Sequence, residues 1–156
     1  MAKREFRIFL DSNVILSGLF SDTGPPRVIL DLLSLNLPML HAVTGRYNII
    51  EIERNLKKKM PTVISVYKEY LPKLNLEIVP MPPIAMIKNL SGHTSDKDVP
   101  VLASAFTGKV DFLVTGDKKD FAKLCIKGSY PFKIVSPSEF LEIILPEILK
   151  SIEQSI

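Results

Sequence analysis

An apolar segment that ends in an acid is the feature that most constrains the fold of this chain. Residues 6–10 read Phe-Arg-Ile-Phe-Leu, and Asp11 and Asn13 follow before a second apolar run begins at Val14. Short runs rich in aromatic and β-branched residues are typical of buried strands. The pattern therefore predicts a central strand over Phe6–Leu10 that carries a carboxylate and an amide to the point where the chain leaves a sheet.

The rest of the chain alternates between strand patterns and helix patterns. Further strands are predicted at Leu37–Val43, Leu76–Val79, Phe112–Thr115 and Phe132–Val135. The segments between them mostly carry apolar residues at helical spacing and begin with a proline or a capping residue. Regular alternation of this kind indicates an α/β fold with a mostly parallel sheet that is covered by helices on both faces.

Capping residues and prolines set the expected limits of the helices. Helices are predicted at Val14–Phe20, from Pro26 to about Asn36, from Thr44 or Gly45 to Lys59, from Pro61 to Pro72, from Ser95 to Gly108, over 118–124 and from Ser136 onwards. Ser12 or Asn13 is the expected cap of the first helix. Pro38 is expected at the start of the second strand, Pro80–Pro83 in an irregular connection, and Pro146 at a break or restart of the last helix.

Length and composition indicate a single globular domain. The chain has 156 residues, of which 46% are hydrophobic, so we expect one domain over 1–156 with a C-terminal helical extension at about 138–156. A net charge of +3 is compatible with nucleic-acid binding without requiring it. The single cysteine, Cys125, excludes an internal disulfide and favours a cytoplasmic location. Asp11 interrupts the first apolar run, so no secretory signal is expected. Because no apolar stretch approaches the length of a membrane span, no membrane partner is expected either.

Four carboxylates are placed to meet at one edge of the predicted sheet. Asp11 ends the first strand and Asp117 closely follows the fourth. Ligands of open α/β sheets bind outside the carboxyl ends of the strands, which is where this pair is expected. Asp98 lies in the first turn of the helix before the fourth strand, and Glu51 lies in the helix after the second. That these two reach the same edge is a hypothesis about packing.

Carboxylates gathered in one cleft need a counter-charge to stay ionised together. A hard divalent cation supplies that charge, and an oxygen-only ligand set favours Mg²⁺ or Mn²⁺ over Zn²⁺, as one ion or two. Such a site polarises a phosphoryl oxygen and lowers the pKa of bound water. The pattern therefore favours in-line hydrolysis of a phosphodiester.

Several short motifs, taken in order, resemble one known family. They are Phe9–Ile15 with Ser17 and Gly24–Pro26, then Glu51-Ile52, Asp98–Ala103, Leu113–Asp117 and Ile134–Phe140. In this order and spacing the chain resembles the PIN domain family of VapC-type nucleases. Within that family it is most similar to the group described as toxin components of toxin–antitoxin systems. The resemblance covers about residues 5–143.

The resemblance implies a fold, an activity and a set of site residues. It implies a three-layer α/β/α fold with a five-stranded parallel sheet, and Mg²⁺- or Mn²⁺-dependent cleavage of single-stranded RNA. It also implies an antitoxin partner and a homodimer. The residues it assigns to catalysis and metal binding are Asp11, Glu51, Asp98 and Asp117, with Asn13 and Thr115 as polar supports. The segment Gly92–Lys97 is less acidic than is usual in this group.

The choice between Glu51 and Glu53 stays open at this point. Helical periodicity puts Glu53 in the middle of the apolar stripe and Glu51 away from it. The family pattern, a glutamate followed at once by an apolar residue, selects Glu51. Asp96 and Asp120 are further candidates for negative charge at the rim, although both positions are also typical of exposed helix starts.

Other interpretations of the same residues also stay open. Asp11 fits a helix cap, and Ser95-x-x-Asp98 has nearly the spacing of a capping box. The C-terminal apolar stripe fits packing on the sheet as well as a dimer or antitoxin surface; it comprises Leu141, Ile144, Leu145, Ile148, Leu149 and Ile152.

Other functions compete with the nuclease interpretation. A haloacid-dehalogenase-like phosphatase needs a second aspartate two residues after the first, where this chain has Asn13. A catalytically silent PIN scaffold that binds RNA or a protein partner is the alternative to an active enzyme. Complete retention of the four acids argues against that alternative.

Overall fold

The computed structural model describes residues 4–121 and 130–155, and in them the chain forms an α/β fold around a five-stranded sheet. The strands are β1 (Phe6–Leu10), β2 (Leu40–Gly45), β3 (Glu77–Val79), β4 (Phe112–Val114) and β5 (Lys133–Val135). All neighbours are parallel and the order is β3-β2-β1-β4-β5. The predicted parallel sheet with a central first strand is confirmed.

Helices connect the strands and cover the sheet. They are α1 (Ser12–Phe20), α2 (Pro25–Ser34), α3 (Arg46–Lys59), α4 (Ile64–Tyr70), α5 (Ile84–Leu90), α6 (Val99–Thr107) and α7 (Pro137–Ser155). Short 3₁₀ turns span Pro61–Val63, Leu71–Leu74 and Lys118–Phe121. Among the described residues, no helix combines the length and the apolar composition needed to cross a membrane.

The central strand separates two hydrophobic layers. Phe6, Ile8 and Leu10 point to one face, where α1, α2, α3, α4 and α7 pack. Phe9 points to the other face, where it meets α6. Side chains alternate along a strand, so the burial of Phe9 opposite Phe6, Ile8 and Leu10 requires that β1 be covered on both sides. This arrangement confirms the three-layer architecture.

The start of β2 differs from the prediction. The strand begins at Leu40 rather than Leu37, and Pro38 lies in a turn before it, not at the strand start. The backbone N–H of Leu40 donates to the carbonyl of Leu37, which closes this turn. Asn36 has a positive φ of 54° and directs the chain into it. Residues that β-propensity alone assigns to the strand therefore form a turn around the proline instead.

Prolines divide or precede helices in ways that the sequence did not reveal. The helix predicted from Pro61 to Pro72 is split, with α4 between two 3₁₀ turns. The connection after Pro83 was expected to be irregular, but it contains α5, with Pro83 as its N-terminal flanking residue. A proline just before a helix removes no hydrogen bond that the helix needs.

The last helix passes through Pro146 without the expected break. Phe140 and Ile144 lie before this proline and Ile148 after it, and all three are buried against the core of the sheet. Packing on both sides of Pro146 therefore holds one continuous helix. Cys125 and the end of the helix predicted over 118–124 lie outside the described residues.

Candidate active site

The two halves of the sheet diverge from β1, and the predicted acids gather near this point. β1 pairs with β2 on one side and with β4 on the other, and the strand order reverses here, because the chain runs from β1 outwards to β3 and then crosses back to β4. Such a switch point forms a crevice at the carboxyl edge of a parallel sheet. Asp11 leaves β1 there, and its backbone N–H donates to the carbonyl of Val114 at the end of β4 at 3.0 Å.

Asp11 is held on both carboxylate oxygens. Its Oδ1 accepts hydrogen bonds from the backbone N–H of Ser12 at 2.7 Å and from Asn48 Nδ2 at 3.2 Å. Its Oδ2 accepts from Thr115 Oγ1 at 2.8 Å. Asp11 also occupies the N-cap of α1, so the cap predicted at Ser12 or Asn13 lies one or two residues earlier. This side chain, which is 5% exposed, therefore caps α1 and also accepts hydrogen bonds from Asn48 and Thr115.

The electrostatic environment of Asp11 shows which acids lie near it. Burial raises the pKa of this carboxyl to about 6, and the hydrogen bonds from Thr115 and Ser12 oppose that rise. The charges of Asp98 and Glu51 raise the pKa further. Asp11, Asp98 and Glu51 thus share one region of negative potential, although they come from three different segments of the chain.

Asp98 precedes α6 and leaves its side chain free of the helix. The helix begins at Val99 rather than at the predicted Ser95, with Pro100 in its first turn. Asp98 makes no side-chain cap; instead Ser95 Oγ donates to its Oδ2 at 2.6 Å. The capping-box interpretation is therefore wrong, because the Ser95 hydroxyl donates to the Asp98 carboxylate and it is the Ser95 carbonyl that accepts from the N–H groups of Asp98 and Val99. Burial is the main cause that raises the pKa of Asp98.

The two glutamates of α3 face different neighbours. The charge of Glu51 raises the pKa of Asp11, whereas the charge of Glu53 adds to burial in raising the pKa of Tyr67 on α4. The buried stripe of α3 is Asn48, Ile49, Ile52 and Leu56, while Ile50 is exposed. With Asn48 in this stripe and Ile50 outside it, the two glutamates lie on opposite borders of the buried face.

Asp117 and its polar neighbours form a second network at the end of β4. Asn13 Nδ2 donates to Asp117 Oδ2 at 2.9 Å, and Asn13 Oδ1 accepts from the backbone N–H of Gly116 at 2.9 Å. The backbone N–H of Asp117 donates to Thr115 Oγ1 at 3.1 Å. Thr115 therefore contacts both Asp11 and the Asp117 turn, and Asn13 joins that turn to α1.

The remaining acidic candidates lie at the surface. Asp120 is exposed, and its charge contributes to the raised pKa of Asp98. Its Oδ2 lies 3.9 Å from Lys97 Nζ. Asp96 is exposed in the turn before α6. Asp120 thus belongs to the electrostatic surroundings of Asp98, while Asp96 has the exposure of an ordinary surface residue.

Two neighbouring residues of α3 that the sequence analysis did not single out contact the acidic region. Asn48 Nδ2 donates to Asp11 Oδ1 and also to Ser12 Oγ at 2.9 Å. The hydroxyl of Tyr47 donates to the carbonyl of Lys97 at 3.2 Å. Burial, followed by the charges of Glu51 and Asp98, raises the pKa of Tyr47. No sequence signal pointed to either residue, because the buried stripe that contains Asn48 is evident only in the structure.

The donor set fits a hard divalent cation. In the described parts of the chain, no three His, Cys, Asp or Glu side chains stand close enough together to ligate one ion directly. Mg²⁺ usually retains several waters and uses one or two carboxylates, so it does not need three protein ligands. Asp11 and Asp98 are buried acids of raised pKa. A bound cation relieves that cost, and the carboxylate chemistry agrees with Mg²⁺ or Mn²⁺.

Comparison with known families agrees with this geometry. The profile of the PIN domain family matches residues 7–119. The chain belongs to the PIN domain family. PIN domains are nucleases, so the acidic edge described above lies in a fold whose members hydrolyse nucleic acids. The resemblance inferred from the motifs is confirmed.

Solved structures share the fold of this PIN domain. VapBC2 from Rickettsia felis, bound to a DNA fragment from their promoter, matches with a TM-score of 0.57 and 15% identity, covering 83% of this chain and 98% of that chain. PAE2754 from Pyrobaculum aerophilum matches with a TM-score of 0.60 and 14% identity, covering 90% of each chain. No curated protein matches the sequence. At these identities the likeness concerns the fold alone.

Proposed function

We propose that this PIN domain is a Mg²⁺- or Mn²⁺-dependent endoribonuclease that hydrolyses single-stranded RNA as the toxin of a toxin–antitoxin pair. The observation that carries the proposal is the convergence of Asp11, Asp98 and Glu51 at the carboxyl edge of β1. Burial, with a smaller contribution from the charges of Asp98 and Glu51, raises the pKa of Asp11, and a divalent cation would offset that cost of holding the acids ionised together.

Each acid has a specific role in this proposal. Asp11, Asp98 and Asp117 would hold the first ion, with water between the ion and at least one of them, and Glu51 would help to hold a second ion or orient the attacking water. A divalent ion bound there lowers the pKa of water and stabilises negative charge on the phosphoryl oxygens. Thr115 and Asn13 keep Asp11 and Asp117 oriented through the hydrogen bonds described above.

Basic side chains beside the acidic edge are suited to contact the phosphates of RNA. Arg46 begins α3, Lys97 precedes Asp98, and Lys119 lies in the turn after Asp117; all three are exposed. Phosphate contacts of this kind give affinity without sequence readout. They leave cleavage specificity to the shape of the surrounding loops.

The proposal includes protein partners and a place in the cell. The Rickettsia felis neighbour is a VapBC2 assembly, which supports an antitoxin partner for this chain. Leu145, Leu149 and Ile152 on the outer side of α7 are exposed, and they offer an apolar face for an antitoxin or for a second copy in a homodimer. We propose that the chain acts as one nuclease domain in the cytoplasm, with α7 as its C-terminal extension.

Cleavage of end-labelled single-stranded RNA in Mn²⁺ tests the proposal. The wild type should cut, and Asp98→Asn should not. Asp31→Asn, which changes an exposed acid paired with Arg27 on α2, is the matched control and should cut normally. Mn²⁺-dependent stabilisation without cleavage would favour the silent scaffold. If Mn²⁺ produces neither cleavage of the RNA nor stabilisation of the protein, the proposal of a metal-dependent nuclease is refuted.

A further inference from the structure

Asn48 is a buried amide directed at the most deeply buried acid of the site. It lies in the first turn of α3, and none of its surface is exposed. Its Nδ2 donates to Asp11 Oδ1 at 3.2 Å and to Ser12 Oγ at 2.9 Å. The neighbouring buried residues of α3 are apolar, so an apolar residue at position 48 would continue the stripe that packs against the core.

The side-chain carbonyl oxygen of Asn48, Oδ1, lacks a hydrogen-bond donor among the described residues. A buried acceptor without a donor is costly, so this amide is not explained by stability alone. The surroundings also fit it closely, because a Cβ added at Gly45 would lie 2.9 Å from Asn48 Oδ1. The side chain is confined, and its confinement directs Nδ2 toward Asp11.

Asn48 links two acids that come from different segments. Asp11 also receives hydrogen bonds from Ser12, its neighbour in sequence, and from Thr115 after β4. Asn48 adds a donor from α3, the helix that carries Glu51 one turn later. Residues three apart lie on adjacent turns of the same helix side, so the Asn48 contact ties the position of Glu51 to that of Asp11.

We propose that Asn48 is a positioning residue that holds Asp11 in the orientation required for cation binding and fixes its separation from Glu51. This inference rests on the proposed function. Partners that orient a metal ligand typically change metal affinity or activity by about 10–100-fold when they are removed. Loss of the Asn48 amide should therefore weaken Mn²⁺ binding by about that factor.

The test is calorimetric titration of the full chain with Mn²⁺ alone. Asn48→Ala should weaken binding, while two control variants should bind as the wild type does. Ile49→Ala removes a buried apolar side chain from the next position of α3. Thr44→Val removes a buried hydrogen bond, from Thr44 Oγ1 to the carbonyl of Leu10, that does not touch Asp11. A purely structural role would make Asn48→Ala behave like these controls.

RNA cleavage provides a second readout. At subsaturating Mn²⁺, Asn48→Ala should lower kcat and leave the KM for RNA unchanged, because a fully buried side chain does not contact the substrate. Raising the Mn²⁺ concentration should restore part of the lost kcat. An increase in KM with kcat unchanged would overturn the positioning role.

A measurement on the wild type keeps the inference testable if Asn48→Ala does not fold. The side-chain NH₂ resonances of Asn48 should shift during Mg²⁺ titration with the midpoint of Mg²⁺ binding. Resonances that stay fixed while Mg²⁺ binds would overturn the inference and leave the proposed function standing. A wild type that binds neither Mg²⁺ nor Mn²⁺ would overturn both.

Discussion

Replacing Asp11 by asparagine should stabilise the metal-free protein at neutral pH. Burial raises the pKa of Asp11 from its ordinary 3.8 to about 6 in the folded chain. A carboxyl with a raised folded-state pKa favours folding while it is protonated in the native state. That stability is fully present below about pH 4 and is lost as the pH rises through about 6.

The size of the effect follows from that difference. About two pKa units correspond to roughly 3 kcal/mol of unfolding free energy. The wild type is therefore less stable by that amount at pH 7.5 than it would be with Asp11 protonated. Asparagine keeps the volume and one acceptor oxygen, which Ser12 and Asn48 continue to use. It loses the acceptor facing Thr115 Oγ1, at a cost of about 1 kcal/mol. The net gain in unfolding free energy is therefore roughly 2 kcal/mol at pH 7.5.

Urea denaturation in EDTA at pH 7.5 and again near pH 4 measures this gain. Asp11→Asn should be the more stable protein at pH 7.5, and its advantage should disappear near pH 4. Mn²⁺ at 100 times its Kd should add about 2.7 kcal/mol to the wild type and much less to the variant. Asp31→Asn controls for the loss of one negative charge at the surface. An Asp11→Asn protein no more stable than the wild type at pH 7.5 would refute the reasoning.

Four further variants test the surroundings of Asp11. Glu51→Gln should lower kcat at saturating Mn²⁺ by at least about 100-fold, whereas Glu53→Gln should leave kcat near the wild-type value; the reverse result would assign the site to Glu53. Gly45→Ala should lower the unfolding free energy measured by urea denaturation by about 1–3 kcal/mol. The reason is that the added Cβ would lie 2.8 Å from Ser104 Oγ and 2.9 Å from Asn48 Oδ1. Tyr47→Phe removes the hydrogen bond to the segment before Asp98 and should weaken Mn²⁺ affinity by less than about tenfold, with an unchanged affinity ruling out that link.

Several features of the fold were readable from the sequence because they depend on local patterns. Alternating strand and helix signals determine a parallel sheet, and the apolar run before Asp11 identifies β1 as its centre. The carboxyl ends of parallel strands share one edge of the sheet, so the sequence alone predicts that Asp11 and the Thr115–Asp117 turn lie at the same edge. The motif order also identified the PIN family.

Other features depended on partners that no local pattern specifies. Helical periodicity favoured Glu53, because an apolar pattern treats Asn48 as exposed and Ile50 as buried, and both are the opposite in the structure. The spacing of Ser95 and Asp98 suggested a capping box, but α6 begins at Val99 and the Asp98 side chain does not cap it.

The sequence by itself therefore determined which strands form the sheet and which acids end them. The tertiary structure decided which side chains of α3 and of the segment before α6 face those acids. The physical reason is distance along the chain. The hydrogen bonds to Asp11 from Asn48 and Thr115 join residues 37 and 104 positions apart, so they arise from the packing of helices against the sheet. Local propensities carry no information about such contacts.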